Sequence, residues 1–158
     1  MLSQDAYQKI DRELAKYPAE QRQSAVMGAL AIAQEEKGWL AEETIAAVAD
    51  YIGIPAIAAY EVASFYNMYD LAPVGKYKLT VCTNLPCQLS GGVQAAEYVK
   101  QKLGIDFNET TADGLITLKE GECMGACGDA PVLLVNNRKM CSYMTAEAID
   151  KLLAELKS

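Results

Sequence analysis

The chain has 158 residues, 51% of them apolar and 22% charged, with a net charge of −7 and no histidine. That balance describes a globular chain rather than a disordered one, long enough for one ordinary domain or two small ones. Without histidine there is no Ser-His-Asp triad, no Cys-His nucleophile pair and no Rieske centre, and the acidic charge argues against nucleic acid as a partner. No apolar run approaches the ~20 residues of a membrane span. Neither G-x-G-x-x-G nor G-x-x-x-x-G-K-[ST] occurs, so there is no sign of a nucleotide site of its own. The opening MLSQDAYQKIDRELAKY lacks a basic start followed by an apolar run. A cytoplasmic location with reduced thiols is therefore expected.

The first half reads as helices. Residues 4–16 carry Tyr7, Ile10 and Leu14 at helical spacing, and Tyr17-Pro18 ends the segment. A second helix is predicted over about 20–37, with Val26, Ala29, Leu30 and Ala33 as its stripe and Gly38 just past its end. Trp39 and Leu40 then pack back onto the bundle. A third helix over 41–52 carries Ile45, Val48, Ala49 and Ile52, and Gly53 follows it. Pro55 suits the first turn of a fourth, over 55–66, whose Ile57, Tyr60, Val62, Ala63 and Phe65 are assigned to the core. From Tyr66 to Val74 the pattern breaks, giving a linker rich in aromatic and apolar residues. Tyr66, Met68, Tyr69 and Leu71 either pack locally or face another protein. Residues 1–75 hold 11 acidic and 5 basic side chains, against 10 and 9 in residues 76–158. A solvated acidic helical surface accounts for that asymmetry.

The second half changes period. KYKLTVC alternates, with Tyr77, Leu79 and Val81 on one face and Lys78, Thr80 and Cys82 on the other. Gly91-Gly92 opens a helix over about 93–103, and GLITLKE, 114–120, is a second strand. PVLLVNNRKMCSY reads as a hairpin turning at Asn136-Asn137, both of which tolerate positive φ. Thr145 caps a last helix over 146–157 that buries Ile149, Leu152, Leu153 and Leu156. The order is β-α-β-β-β-α, and the helix between the first two strands permits a parallel crossover. The fold class is α+β or α/β, with a small helical bundle over residues 1–75 and a second domain over 76–158.

All four cysteines of two close pairs lie in that second domain. CTNLPC places four residues between Cys82 and Cys87, and CMGAC places three between Cys123 and Cys127. Four thiols in two pairs are read as the ligands of an iron–sulfur cluster, [2Fe–2S] or [4Fe–4S]. Structural zinc, which also takes Cys₄ and tolerates two to four residues within a pair, fits the spacing too. A disulfide framework belongs to small secreted domains, and a redox dithiol wants C-x-x-C. Reduced cluster sulfurs carry negative charge, so glycines that bring backbone N–H groups close are expected nearby. Gly91 and Gly92 follow Cys87, and Gly125 and Gly128 bracket Cys127. Pro131 fixes the chain before a buried strand, in a cis or trans peptide. Cys141, in the second arm of the hairpin, is read as a packing residue and not a ligand.

CTNLPC followed by CMGACGDAP resembles the thioredoxin-like [2Fe–2S] ferredoxin family. The helical half, with QRQSAVMGALAIAQEEKGWL and VASFYNMYDLAPVGKY, is similar to the E-subunit family of bacterial NADH:quinone oxidoreductase, respiratory complex I. The resemblance covers nearly the whole chain. It implies a thioredoxin-like fold for residues 76–158 and one [2Fe–2S] cluster on Cys82, Cys87, Cys123 and Cys127, and it turns the choice away from zinc. It also implies a permanent partner, the flavoprotein F subunit, which carries FMN and the NADH site, with the chain itself contributing no catalytic residue. The helical half would dock that partner, and the heterodimer would belong to a peripheral arm at the cytoplasmic face of the inner membrane. The cysteine spacing is shared with subunits of NAD-linked hydrogenases and formate dehydrogenases, which are the alternative parents, and a metal-binding carrier or scaffold outside such complexes is a further one. Cys141 has no obvious place in the family pattern.

Overall fold

The computed structural model describes residues Met1–Ser158. The chain divides into two compact units, Met1–Pro73 and Val74–Ser158. Each is built around its own apolar core.

The first unit is helical. Helix α1, Gln4–Leu14, starts where the Ser3 hydroxyl accepts the Ala6 N–H, and it buries Ala6, Ile10 and Leu14 at four-residue spacing. Helix α2 is shorter than the sequence suggests. It runs Val26–Lys37, and Ala19–Ala25 before it form 3-10 turns broken at Gln21, whose φ is −116° and ψ 28°. Pro18 supplies no side-chain cap there, and Arg22 in this segment donates instead to the carbonyls of Tyr51 and Ile52. Gly38 ends α2 with φ 82°, and Gly53 ends α3, Glu42–Ile52, with φ 85°.

Helix α4, Ala56–Phe65, departs most from expectation. Its core face is small, made by Ala59 and Ala63. Ile57, assigned to the core on periodicity, is 63% exposed and Phe65 is 80% exposed, and Tyr60 is exposed as well. Two alanines let α4 lie close to α2 and α3, which turns its large side chains outward. The segment after it divides. The buried Tyr69 hydroxyl donates to the Met27 carbonyl at 2.8 Å. Gln34 brackets the same segment, donating to Met68 O at 2.9 Å and accepting the Asp70 N–H at 2.6 Å. Tyr66 and Leu71 stay exposed.

The second unit is a four-stranded sheet in the order β2-β1-β3-β4. Strand β1, Tyr77–Cys82, pairs in parallel with β2, Ile116–Gly121, from Tyr77↔Ile116 to Cys82↔Gly121. Its other edge pairs antiparallel with β3, Leu133–Val135, which turns into β4, Lys139–Cys141. The hairpin turn falls at Asn136 and Asn137, with φ 52° and 57°. Strand β2 begins later than GLITLKE suggests, because Gly114 takes φ 69° and its N–H closes a turn onto Thr111. Both faces of the central β1 are buried, Lys78 and Thr80 included, so alternation there does not mark a wet face. A short helix α5, Leu85–Leu89, precedes α6, Gly92–Leu103. Ala96 and Val99 of α6 join Ile149, Leu152 and Leu153 of α7, Ala146–Lys157, over the sheet. The Thr145 hydroxyl accepts the Ala148 N–H and caps α7.

Candidate metal centre

The parallel pairing of β1 and β2 brings the two cysteine pairs to one end of the sheet. Cys82 is the last residue of β1 and lies opposite Gly121, the last of β2, so the loop to Cys87 and the loop to Cys123 leave from neighbouring strands. The chain then returns past Cys127 to β3, and the Cys82 N–H donates to the Val132 carbonyl at 3.1 Å. Three segments distant in sequence thus converge on one place.

Cys82 and Cys87 are buried, Cys127 is half-buried and Cys123 is exposed. Cys87 sits in α5, which has no sequence signature: with five residues and Pro86 in its first turn it is too short to show a helical period. Cys127 opens a 3-10 turn, Cys127–Asp129. The Cys123 and Cys127 sulfurs stand 3.8 Å apart. Tetrahedral thiolates at ~2.3 Å from one metal ion would be separated by about that distance. Burial pushes the Cys87 thiol up to about 12, and the nearby sulfurs of Cys82 and Cys127 push it the same way. Cys127 is raised too, first by its hydrogen bond with Cys123 and then by burial. A coordinating metal reverses that logic, since its charge deprotonates the thiol outright. A [2Fe–2S] cluster takes its four protein sulfurs as two per iron, and two close pairs fit that donor set.

The surrounding glycines divide into needed and ordinary ones. Gly91, with φ 90°, is the residue just before α6, at its N-terminal cap. A Cβ on Gly92 would stand 2.8 Å from the carbonyl oxygens of both Cys82 and Cys87, so only glycine allows the helix to begin so close to them. Gly125 has φ 72°, and its N–H donates to Cys123 Sγ at 3.4 Å. Gly128 has open space around it and no positive φ, so its presence needs no special reason. The Ala130–Pro131 peptide is cis.

Polar ties hold the loops together, and no local sequence signal announces these pairings. Thr83 Oγ1 donates to Glu120 at 2.6 Å, and Asn84 Nδ2 donates to Glu122 at 2.9 Å. Asp129 accepts hydrogen bonds from Ser142 Oγ at 3.3 Å and Tyr143 Oη at 3.0 Å, while its carbonyl takes the Tyr143 N–H at 2.8 Å. Tyr143 is therefore no continuation of β4, as alternation implies, but a left-handed residue with φ 51°. Cys141 pairs with Leu133 in the hairpin and packs against the sheet core, and burial raises its thiol.

The family model of the thioredoxin-like [2Fe-2S] ferredoxin matches residues 10–157. The NADH-quinone oxidoreductase subunit 2 of Thermus thermophilus is 38% identical over 94% of this chain and 82% of its own length. The E subunit of the Rickettsia felis NADH-quinone oxidoreductase is 42% identical over 90% of this chain and 85% of its own. Among solved structures, an NAD+-reducing [NiFe]-hydrogenase in the H2-reduced state aligns with a TM-score of 0.67 and 20% identity. That alignment covers 81% of this chain and 22% of the hydrogenase chain, and at such identity it speaks for the fold alone.

Proposed function

The chain belongs to the thioredoxin-like [2Fe-2S] ferredoxin family, and from that membership and its cysteine site we propose that it is the electron-transfer E subunit of an NADH:quinone oxidoreductase, carrying one [2Fe–2S] cluster on Cys82, Cys87, Cys123 and Cys127. The observation that supports this most is the convergence of both cysteine pairs at the shared end of β1 and β2. Relatives named as subunits of NADH-quinone oxidoreductase, at about 40% identity over most of the chain, support the parent complex. A hydrogenase or formate dehydrogenase parent, which shares the cysteine spacing, ranks second.

A [2Fe–2S] cluster, when bound, accepts and returns one electron at a time, which suits a flavin that takes a hydride but releases electrons singly. The protein's part is to hold and shield. Cys82 and Cys87 bring two buried sulfurs, and Val132, Met124, Ala126 and Ala130 pack around them. Burial of this kind keeps water from that side and tunes the potential. Cys123 and Cys127 would hold its outer side, where the least protein stands between the site and the surface.

The partner in this reading is the flavoprotein F subunit, with FMN and the NADH site on that subunit alone. Residues 76–158 hold the cluster and residues 1–75 dock the flavoprotein, through the outward Ile57, Phe65 and Tyr66 set in an acidic surface. An apolar centre with a polar surround is a common interface design. No helix is long and apolar enough to cross a membrane, and the proposed place is the peripheral arm at the cytoplasmic face. Co-expression with the flavoprotein tests the reading. A stable heterodimer should form, with FMN in the partner, while the pure chain shows no saturable NADH binding by calorimetry. Purification of the chain with no flavoprotein at all, when both are expressed together, would contradict it.

A further inference from the structure

The backbone ladder between β1 and β2 ends at Cys82↔Gly121. Two side-chain bonds continue it. Thr83 donates to Glu120 at 2.6 Å and Asn84 to Glu122 at 2.9 Å. The donors are successive residues of the loop between Cys82 and Cys87. The acceptors alternate along the chain leading into Cys123, which puts both carboxylates on one side of an extended segment. Both donors lie past the last backbone pair; Glu120 still belongs to β2, opposite Val81, so the first rung runs diagonally across the ladder's end, and the second, to Glu122, lies beyond it.

We propose that Thr83, Asn84, Glu120 and Glu122 are positioning residues for the cluster: their two rungs hold the loop of Cys82 and Cys87 at a set distance from the segment of Cys123, and the two carboxylates set the cluster's electrostatic surroundings. Both roles rest on the cluster reading given above. The two effects are separable. Spacing needs a donor and an acceptor oxygen. The electrostatic effect needs the charge, because negative charge beside a cluster opposes the addition of an electron. Choosing carboxylates over neutral acceptors gives shorter, stronger bonds as well as the field.

The alternative is a pair of ordinary exposed hydrogen bonds, which would contribute little to anything. The experiment distinguishes the two, using the full chain prepared anaerobically with its cluster. Thr83→Val with Asn84→Ala removes both donors and leaves the charges. Loss of iron to a chelator should become about tenfold faster or more, the usual range for outer-shell partners of a metal site, with far-UV circular dichroism unchanged. Glu120→Gln with Glu122→Gln keeps an acceptor oxygen at each rung and removes both charges. It should retain iron within about twofold of the parent and move the midpoint potential upward. Iron retention in the donor-free variant equal to that of the parent chain would overturn the positioning role. An unmoved potential in the glutamine variant would overturn the electrostatic one. A parent chain that takes up neither iron nor labile sulfide would instead overturn the cluster reading, and this inference with it.

Discussion

Gly92 stands against Cys87 so closely that a single added carbon would lie 2.8 Å from the Cys87 carbonyl oxygen and 3.0 Å from its carbonyl carbon. Helix α6 begins there, and its electropositive end faces the turn that carries a proposed ligand. Gly92→Ala must push the Cys87 turn away from α6. A destabilisation of about 1–3 kcal/mol is expected from overpacking of this kind, together with poorer cluster loading. Thermal unfolding and iron content of the variant check both. The same change at Gly128, where nothing lies within 4 Å, should leave both properties as they are.

Cys141→Ser should leave the cluster's EPR spectrum unchanged. Cys141 lies in β4 opposite Leu133 and packs against the sheet core, so the cost should be a modest loss of packing, within about 1.5 kcal/mol. A shifted g-tensor or loss of iron in this variant would place Cys141 among the ligands.

Tyr69 ties the end of the helical unit to α2 through its bond to the Met27 carbonyl. Burial raises its phenol from 10.0 to about 12, with the neighbouring Tyr66 adding to the rise. A folded-state pKa above the unfolded one means the contribution is complete below pH 10 and disappears as the pH rises towards about 12. Tyr69→Phe should cost about 0.5–1.5 kcal/mol at neutral pH, the net worth of one hydrogen bond. The difference between variant and parent should shrink across that alkaline window, which denaturant titrations at about pH 8 and about pH 11 would reveal.

Phe65→Ser and Ile57→Ser alter side chains that the helical unit does not bury. Stability should change by no more than about 0.5 kcal/mol. Affinity for the flavoprotein should fall at least tenfold, as for truncated aromatic or aliphatic anchors of an interface, with the cluster's spectrum intact. Calorimetry or surface plasmon resonance against the isolated flavoprotein measures this, and full affinity in the double variant would remove the docking role from α4.

Much of this architecture is legible in the sequence because its signals are local. Gly38, Gly53 and the Asn136-Asn137 turn announce themselves through φ, and Thr145 through its cap. The four cysteines are visible as pairs. What escapes is non-local. Periodicity shows that α4 has an apolar stripe but not which way it faces, because the alanines that fit closest to neighbouring helices decide the inward side. The broken start of α2 follows from Arg22 reaching carbonyls of α3, about thirty residues away. The Thr83–Glu120 and Asn84–Glu122 rungs join residues separated by 37 and 38 positions, and only the parallel register of β1 and β2 brings them together. Tyr143 breaks the strand alternation because Asp129 takes both its N–H and its hydroxyl, along with the Ser142 hydroxyl, in a local turn.

The cluster itself is tested most directly by EPR of the anaerobically prepared, dithionite-reduced full chain, with iron and acid-labile sulfide determined on the same sample. Two irons and two sulfides per chain are expected, with a one-electron [2Fe–2S] signal that is lost or strongly perturbed by serine at Cys82, Cys87, Cys123 or Cys127. One zinc per chain, no labile sulfide and no signal would contradict the cluster.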